Sequence, residues 1–121
     1  MLEIIEGFPD HVIAVAAKGH VSRSDYAEVL VPAVENAFRR HRRMRCYYEL
    51  GHEFSGMDSG AVWEDFKIGL EHIAHWERVA VVTDVEWVRL AVNAFRFLVP
   101  GDVRIFGTTA AADARRWIAS D

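Results

Sequence analysis

The chain has 121 residues, a formal net charge of −4 and a single cysteine. That length suits one domain spanning residues 1–121 with a core of its own. The mild acidity argues against bulk nucleic-acid binding, which needs basic patches that displace counterions. The lone Cys46 rules out an internal disulfide and fits a reducing cytoplasm. The opening M-L-E-I-I-E carries acid where a secretory signal needs base. No apolar run nears the roughly 18 residues of a bilayer span, so a cytoplasmic protein without an integral membrane segment is expected.

In chain order, Leu2–Ile5 reads as a short strand and Val12–Ala17 as a second, with the turn residues Gly7, Pro9 and Asp10 between them. The short connection predicts an antiparallel hairpin. Ser22 opens a helix, with Asp25 completing an imperfect capping box. Tyr26, Leu30, Ala33, Val34, Ala37 and Phe38 then recur at helical spacing. Pro32 interrupts that pattern and predicts a kink or two short helices in line. Met44–Leu50 alternates, with Met44, Cys46, Tyr48 and Leu50 on one face and Arg45, Tyr47 and Glu49 on the other, as a strand does.

The glycines of Gly51–Gly60 suggest a loop. Asp58 or Ser59 caps the next helix, Glu64 and Asp65 suit its positive end, and Trp63, Phe66, Leu70 and Ile73 form its expected core stripe. Arg78–Val82 is a nearly pure apolar run, as expected of an interior parallel strand. Thr83-x-x-Glu86 forms a capping box for a helix over Val85–Val99, which Pro100-Gly101 stops. Val103–Phe106 is the last strand. Thr108 or Thr109 caps a final helix that turns Ala110, Ala114, Trp117 and Ile118 inward. The order ββαβαβαβα predicts an α/β fold with a mixed, mostly parallel five-stranded sheet, an antiparallel N-terminal strand and four helices. The alternation of Met44–Leu50 suggests that helices cover one face more fully than the other.

The helix Val85–Val99 is unusual. From Trp87 to Val99 its only polar residues are Arg89, Asn93 and Arg96, one narrow stripe at i, i+4 and i+7. Val88, Ala91, Val92 and Phe95 are spaced to pack on the sheet. Trp87, Leu90, Ala94, Phe97 and Leu98 then need another apolar neighbour, either a second subunit or a small amphipathic ligand. Leu90 or Phe97 is expected to meet it near Trp63 or Phe66, with Arg89 and Arg96 facing an acidic head group or a partner's carboxylates.

Four blocks in order, V-L-V-P-A-V-E-N-A (Val29–Ala37), G-A-V-W-E-D-F-K-I-G-L-E-H (Gly60–His72), E-R-V-A-V-V-T-D-V-E-W-V-R (Glu77–Arg89) and F-L-V-P-G-D-V-R-I-F (Phe97–Phe106), resemble the SpoIIAA-like family of small bacterial proteins, with the STAS fold of anti-sigma-factor antagonists. The resemblance spans essentially the whole chain. It implies a singly wound strand–helix superhelix, shared in outline with CRAL–TRIO lipid carriers, and brings no catalytic motif or cofactor.

Other constellations have plainer readings. Ser59, after Asp58, sits where such antagonists carry a phosphorylated serine, but it also serves as a helix cap, and the antagonist pattern D-S-[ST]-G has a further hydroxyl residue. His72 and His75 are spaced to face one metal but lack a third ligand at a telling distance. Cys46 belongs with the buried face. Arg39–Arg45, with five arginines and a histidine, reads as a solvated helix end more readily than an anion site. Asp84, at the carboxyl end of a strand, is a ligand-binding candidate and a helix cap. The expected function is a non-enzymatic binding domain without metal or cofactor, holding a small amphipathic molecule or forming a homodimer through Val85–Val99. A partner switch at Ser59 is the alternative, and an enzyme of unknown type the last.

Overall fold

The computed structural model describes the backbone of residues 1–121 and the side-chain surroundings of all but Phe66, Gly69 and Leu70. The strands are β1 (Leu2–Ile4), β2 (Val12–Val21), β3 (Met44–Met57), β4 (Trp76–Thr83) and β5 (Asp102–Phe106). They form one sheet in the order β1-β2-β3-β4-β5. β1 runs antiparallel to β2 at the edge, and every other pair is parallel. β4 therefore lies inside the sheet, as its apolar run requires.

Helices cover the two faces unequally. A helical run made of α1 (Arg23–Asp25), a π-turn (Tyr26–Leu30) and α2 (Val31–Arg40) lies on one face, together with α3 (Ser59–Glu71) and α4 (Glu86–Phe95). These helices bury Val34, Ala61, Ile68 and Val88 against Val15, Tyr48, Leu50 and Val81 of the sheet. The other face has α5 (Ala111–Ala119), whose Ala114 and Ile118 pack on Val12, Ala14, Tyr47, Ala80 and Val82. The alternation in β3 sets this division. Met44, Cys46, Tyr48 and Leu50 join the larger core, and Tyr47 the smaller. Arg45 is buried on the α5 side, where it pairs with Glu77 at 2.5 Å and donates to the carbonyls of Ile118 and Ser120 at 2.9 and 2.5 Å. It thereby ties down the carbonyl end of α5.

Three local expectations are refined. Pro32 does not break the run. The π-turn just before it bonds Val31 N–H to the Tyr26 carbonyl, five residues back, and Pro32 enters α2 in its first turn, where no donor is needed. Ser22 and Asp25 form a complete capping box. Thr83 and Glu86 do not: the N-cap of α4 is Val85, whose N–H donates to Thr83 Oγ1 at 3.0 Å.

The expected loop at Gly51–Gly60 is mostly strand. β2 continues to Val21 through an irregularity at Gly19, which adopts φ 58, a left-handed conformation that glycine reaches without strain. This extension gives β3 a partner as far as Met57. The chain from Val85 to Val99 is also shorter as an α-helix than its pattern suggested. It tightens to a 3₁₀ turn at Arg96–Leu98, and only Val88 of α4 is buried.

Gly101 is fixed by close packing. A β-carbon there would overlap the backbone carbonyls of Trp76 and Glu77, which cannot swing aside as a side chain can. Gly101→Ala is expected to cost about 2–4 kcal/mol, read as a lower urea midpoint at unchanged slope. An unchanged midpoint would mean that β4 and β5 can separate at no cost.

Candidate functional site

α4 sets the site. Its Val88, Val92 and Phe95 lean on the larger core, but the helix does not close against α3, and an open pocket of about 180 Å³ lies between them over the sheet. Leu50 and Val81 come from the strands, Val62 from α3, and Trp87, Ala91 and Val92 from α4. The walls are thus almost entirely apolar. The volume is roughly that of a cavity able to take one aromatic ring, and it is small beside most ligand sites. Val62 and Trp87 line the pocket and are also exposed, which puts them at its mouth.

The polar groups lie together at one end. Tyr26 from the π-turn and Tyr48 from β3 are both buried, and their hydroxyls are 2.5 Å apart. Tyr26 also donates to Asp65 Oδ1 on α3, at 3.1 Å. π-turns recur at functional sites because they re-aim side chains within a helix. Here the π-turn carries the one tyrosine that joins sheet to α3.

Asp65 is exposed by surface area, since it faces the open pocket, yet protein surrounds it on the other sides. Desolvation raises its carboxyl to about 6, and the Tyr26 hydrogen bond pulls the other way. Water entering at the mouth also works against the rise. Burial, followed by the Asp65 charge, pushes the Tyr26 and Tyr48 phenols well above their usual value. Burial and the same charge push the Cys46 thiol up to about 12. Cys46 is thus a neutral core residue.

The residues expected from sequence are only partly brought together. Trp87 lines the pocket, with its ring 6.3 Å from that of Phe54. Leu90 and Phe97 lie outside it, 63 % and 87 % exposed, and Trp63 on α3 is 56 % exposed rather than part of a core stripe. Phe66 and Leu70 fall outside the described residues. Among the described residues of α3, Ala61 and Ile68 are buried and Asp65 lines the pocket, and Ile73 of the expected stripe packs against the larger core just beyond the helix. Arg89 donates to the Thr83 carbonyl at 3.1 Å and Arg96 to Asn93 at 3.3 Å, so both have partners within the chain.

Both carboxylate oxygens of Asp84 are engaged by Thr108, through its N–H at 3.0 Å and its hydroxyl. Ser59 is exposed at the first residue of α3, beside Asp58, whose carboxylate lies 2.5 Å from His20 Nε2. His72 stacks on Phe38 at 4.2 Å, and no cluster of potential metal ligands occurs among the described residues.

Sequence reasoning missed Asp65 as a site residue, having assigned it to the helix end. Two signals were available. Asp65 is four residues after Ala61 and three before Ile68, on the same face as both. Buried tyrosines at core positions also imply a hydroxyl partner.

The raised carboxyl has a consequence for stability. In the folded chain Asp65 titrates near about 6, against 3.8 for a free side chain. The fold therefore binds the extra proton between those values, and this group's contribution weakens as pH rises through that window. Asp65→Asn keeps an acceptor for Tyr26 and removes the charge. It is expected to stabilise the ligand-free protein above about pH 6, by about 1 kcal/mol after discounting for water in the open pocket. The gain should vanish near pH 4. Thermal unfolding of both proteins across this range tests it, and a destabilised Asn variant at pH 7 would show that the fold needs the carboxylate.

The comparisons with known proteins agree with this architecture. The family model described as SpoIIAA-like matches residues 12–119. An uncharacterised protein of the DUF3478 family from Shewanella loihica PV-4, with a SpoIIAA-like fold, superposes with a TM-score of 0.76 at 25 % identity, over 98 % of this chain and 92 % of its own. The anti-sigma factor antagonist SpoIIAA in its unphosphorylated form superposes at 0.65 with 14 % identity, over 96 % and 98 % of the two chains, a likeness of fold alone. No curated protein matches. No helix among the described residues is long and apolar enough to cross a membrane. With its sheet order, unequal helix cover and family match in agreement, the chain belongs to the SpoIIAA-like family.

Proposed function

We propose that this SpoIIAA-like chain is a non-enzymatic binding domain that holds a small amphipathic molecule between α3 and α4. The observation that carries this reading is the pocket itself, an open apolar cleft with its few polar groups gathered at one end. Such segregation suits a ligand with one greasy and one polar end. The volume of about 180 Å³ admits a ring or a short chain, and a longer molecule would emerge past Val62 and Trp87.

An uncharged fluorescent probe, N-phenyl-1-naphthylamine, tests the pocket apart from any head group. Wild-type protein is expected to enhance its emission saturably at micromolar concentrations. Ala91→Trp, at an exposed lining position, fills the cleft and should weaken binding by about tenfold or more while leaving the circular dichroism unchanged. No saturable enhancement, or equal binding by the variant, would remove this reading.

Self-association through the outer flank of α4 is a second reading, supported by the exposure of Leu90 on α4 and of Phe97 and Leu98 in the 3₁₀ turn that follows it. Leaving several such side chains in water forgoes roughly 1.5–3 kcal/mol each. A homodimer is therefore expected in sedimentation at micromolar concentration, and Leu90→Ser with Phe97→Ser should give a folded monomer. A wild-type monomer under those conditions would rule out the dimer without touching the pocket.

A further inference from the structure

We infer that the molecule held in this pocket carries a protonated amine, an alkyl- or arylalkylammonium whose head meets Asp65 while its body lies along α4. The inference rests on the small-molecule reading above and names the chemistry of the ligand's polar end.

The argument is a count of protons. An ionised carboxylate only accepts, so the 3.1 Å contact between Tyr26 and Asp65 uses the one proton on Tyr26. The 2.5 Å contact between the two phenols must then use the proton of Tyr48. Both hydroxyl protons are thus committed within the chain Tyr48–Tyr26–Asp65. What remains unused on these two pocket-lining residues is the second carboxylate oxygen of Asp65 and a lone pair on Tyr48, both acceptors.

Charge points the same way. Among the described residues Asp65 has no cationic partner. Arg23 and Lys67 both reach Glu64 instead, at 3.3 and 3.9 Å, and Arg89 turns to the Thr83 carbonyl. The titratable groups that face Asp65 are Tyr26 and Tyr48, with the Cys46 thiol nearby, all neutral. A carboxylate lining an apolar cleft without a counter-ion is a place where a ligand cation would gain a charge-assisted pair. A fatty-acid head would bring like charge and no donor. An alcohol would bring one donor. An ammonium brings three donors and the missing positive charge. This reverses the acidic head expected opposite Arg89 and Arg96, both of which have partners within the chain.

Three molecules with one chain and different heads separate the possibilities: n-octylamine, 1-octanol and octanoate, titrated calorimetrically below micelle formation at about pH 7.5. Wild-type protein is expected to bind octylamine about tenfold or more tighter than octanol, and octanoate most weakly. In Asp65→Asn the preference for the amine over the alcohol should disappear, with octylamine losing about tenfold or more and octanol clearly less. Octanoate binding as tightly as octylamine, or an amine preference that survives in Asp65→Asn, overturns the inference. Equal binding of all three leaves the pocket standing and removes the amine alone, whereas no binding of any removes both.

Discussion

Much of this molecule depends on a hydrogen-bonded chain of three side chains. Tyr48 stands on β3 in the larger core, where a phenylalanine would need no partner. Its hydroxyl reaches Tyr26 on the π-turn, which reaches Asp65 on α3. Sheet, first helical run and α3 are thereby joined through polar atoms in an apolar setting, where a satisfied network fixes geometry and an unsatisfied one is expensive. The terminal member is a carboxylate on a residue that lines the pocket. The same interaction that aligns these elements gives the cleft its polar end.

α4 explains why a cleft exists. A helix with this composition would be expected to lie deep, yet it rests on the sheet through Val88, Val92 and Phe95 and leaves Leu90, Phe97 and Leu98 in water. Among the described residues of α3, Val62 and Asp65 face α4 across the pocket, and Trp63 is exposed. Apolar surface left open in this way lowers stability in the free protein. Sites that bind commonly carry such a cost.

The sequence was most legible where one periodicity ruled. The alternation over Met44–Leu50 assigned each side chain to the correct core, and the apolar run at Arg78–Val82 marked an interior strand. It was least legible where tertiary pairing overrode local signals. Three glycines between 51 and 60 read as a loop, but β2 crosses its irregularity at Gly19 and supplies a ladder out to Met57. Trp63 read as core on periodicity but is exposed, while the small Ala61 is buried and the charged Asp65 lines the pocket, residues that hydrophobicity counting passes over. The oily flank of α4 drew attention to Leu90 and Phe97, which lie outside the pocket, while the polar groups of the pocket come from the π-turn, β3 and α3. No local pattern joins Tyr26, Tyr48 and Asp65, which are separated by 22 and 39 positions in their contacts with Tyr26.

The central claim is that Asp65 is an unpaired carboxylate at the polar end of an apolar cleft. Its own titration tests this most directly, followed through the side-chain carboxyl carbon by NMR in protein freed of small molecules. An apparent pKa near about 6 is expected, falling when octylamine is added, because a bound cation favours the ionised form. A value at or below the 3.8 of a free aspartate, unmoved by the amine, would contradict it and show that the carboxylate already has all the partners it needs.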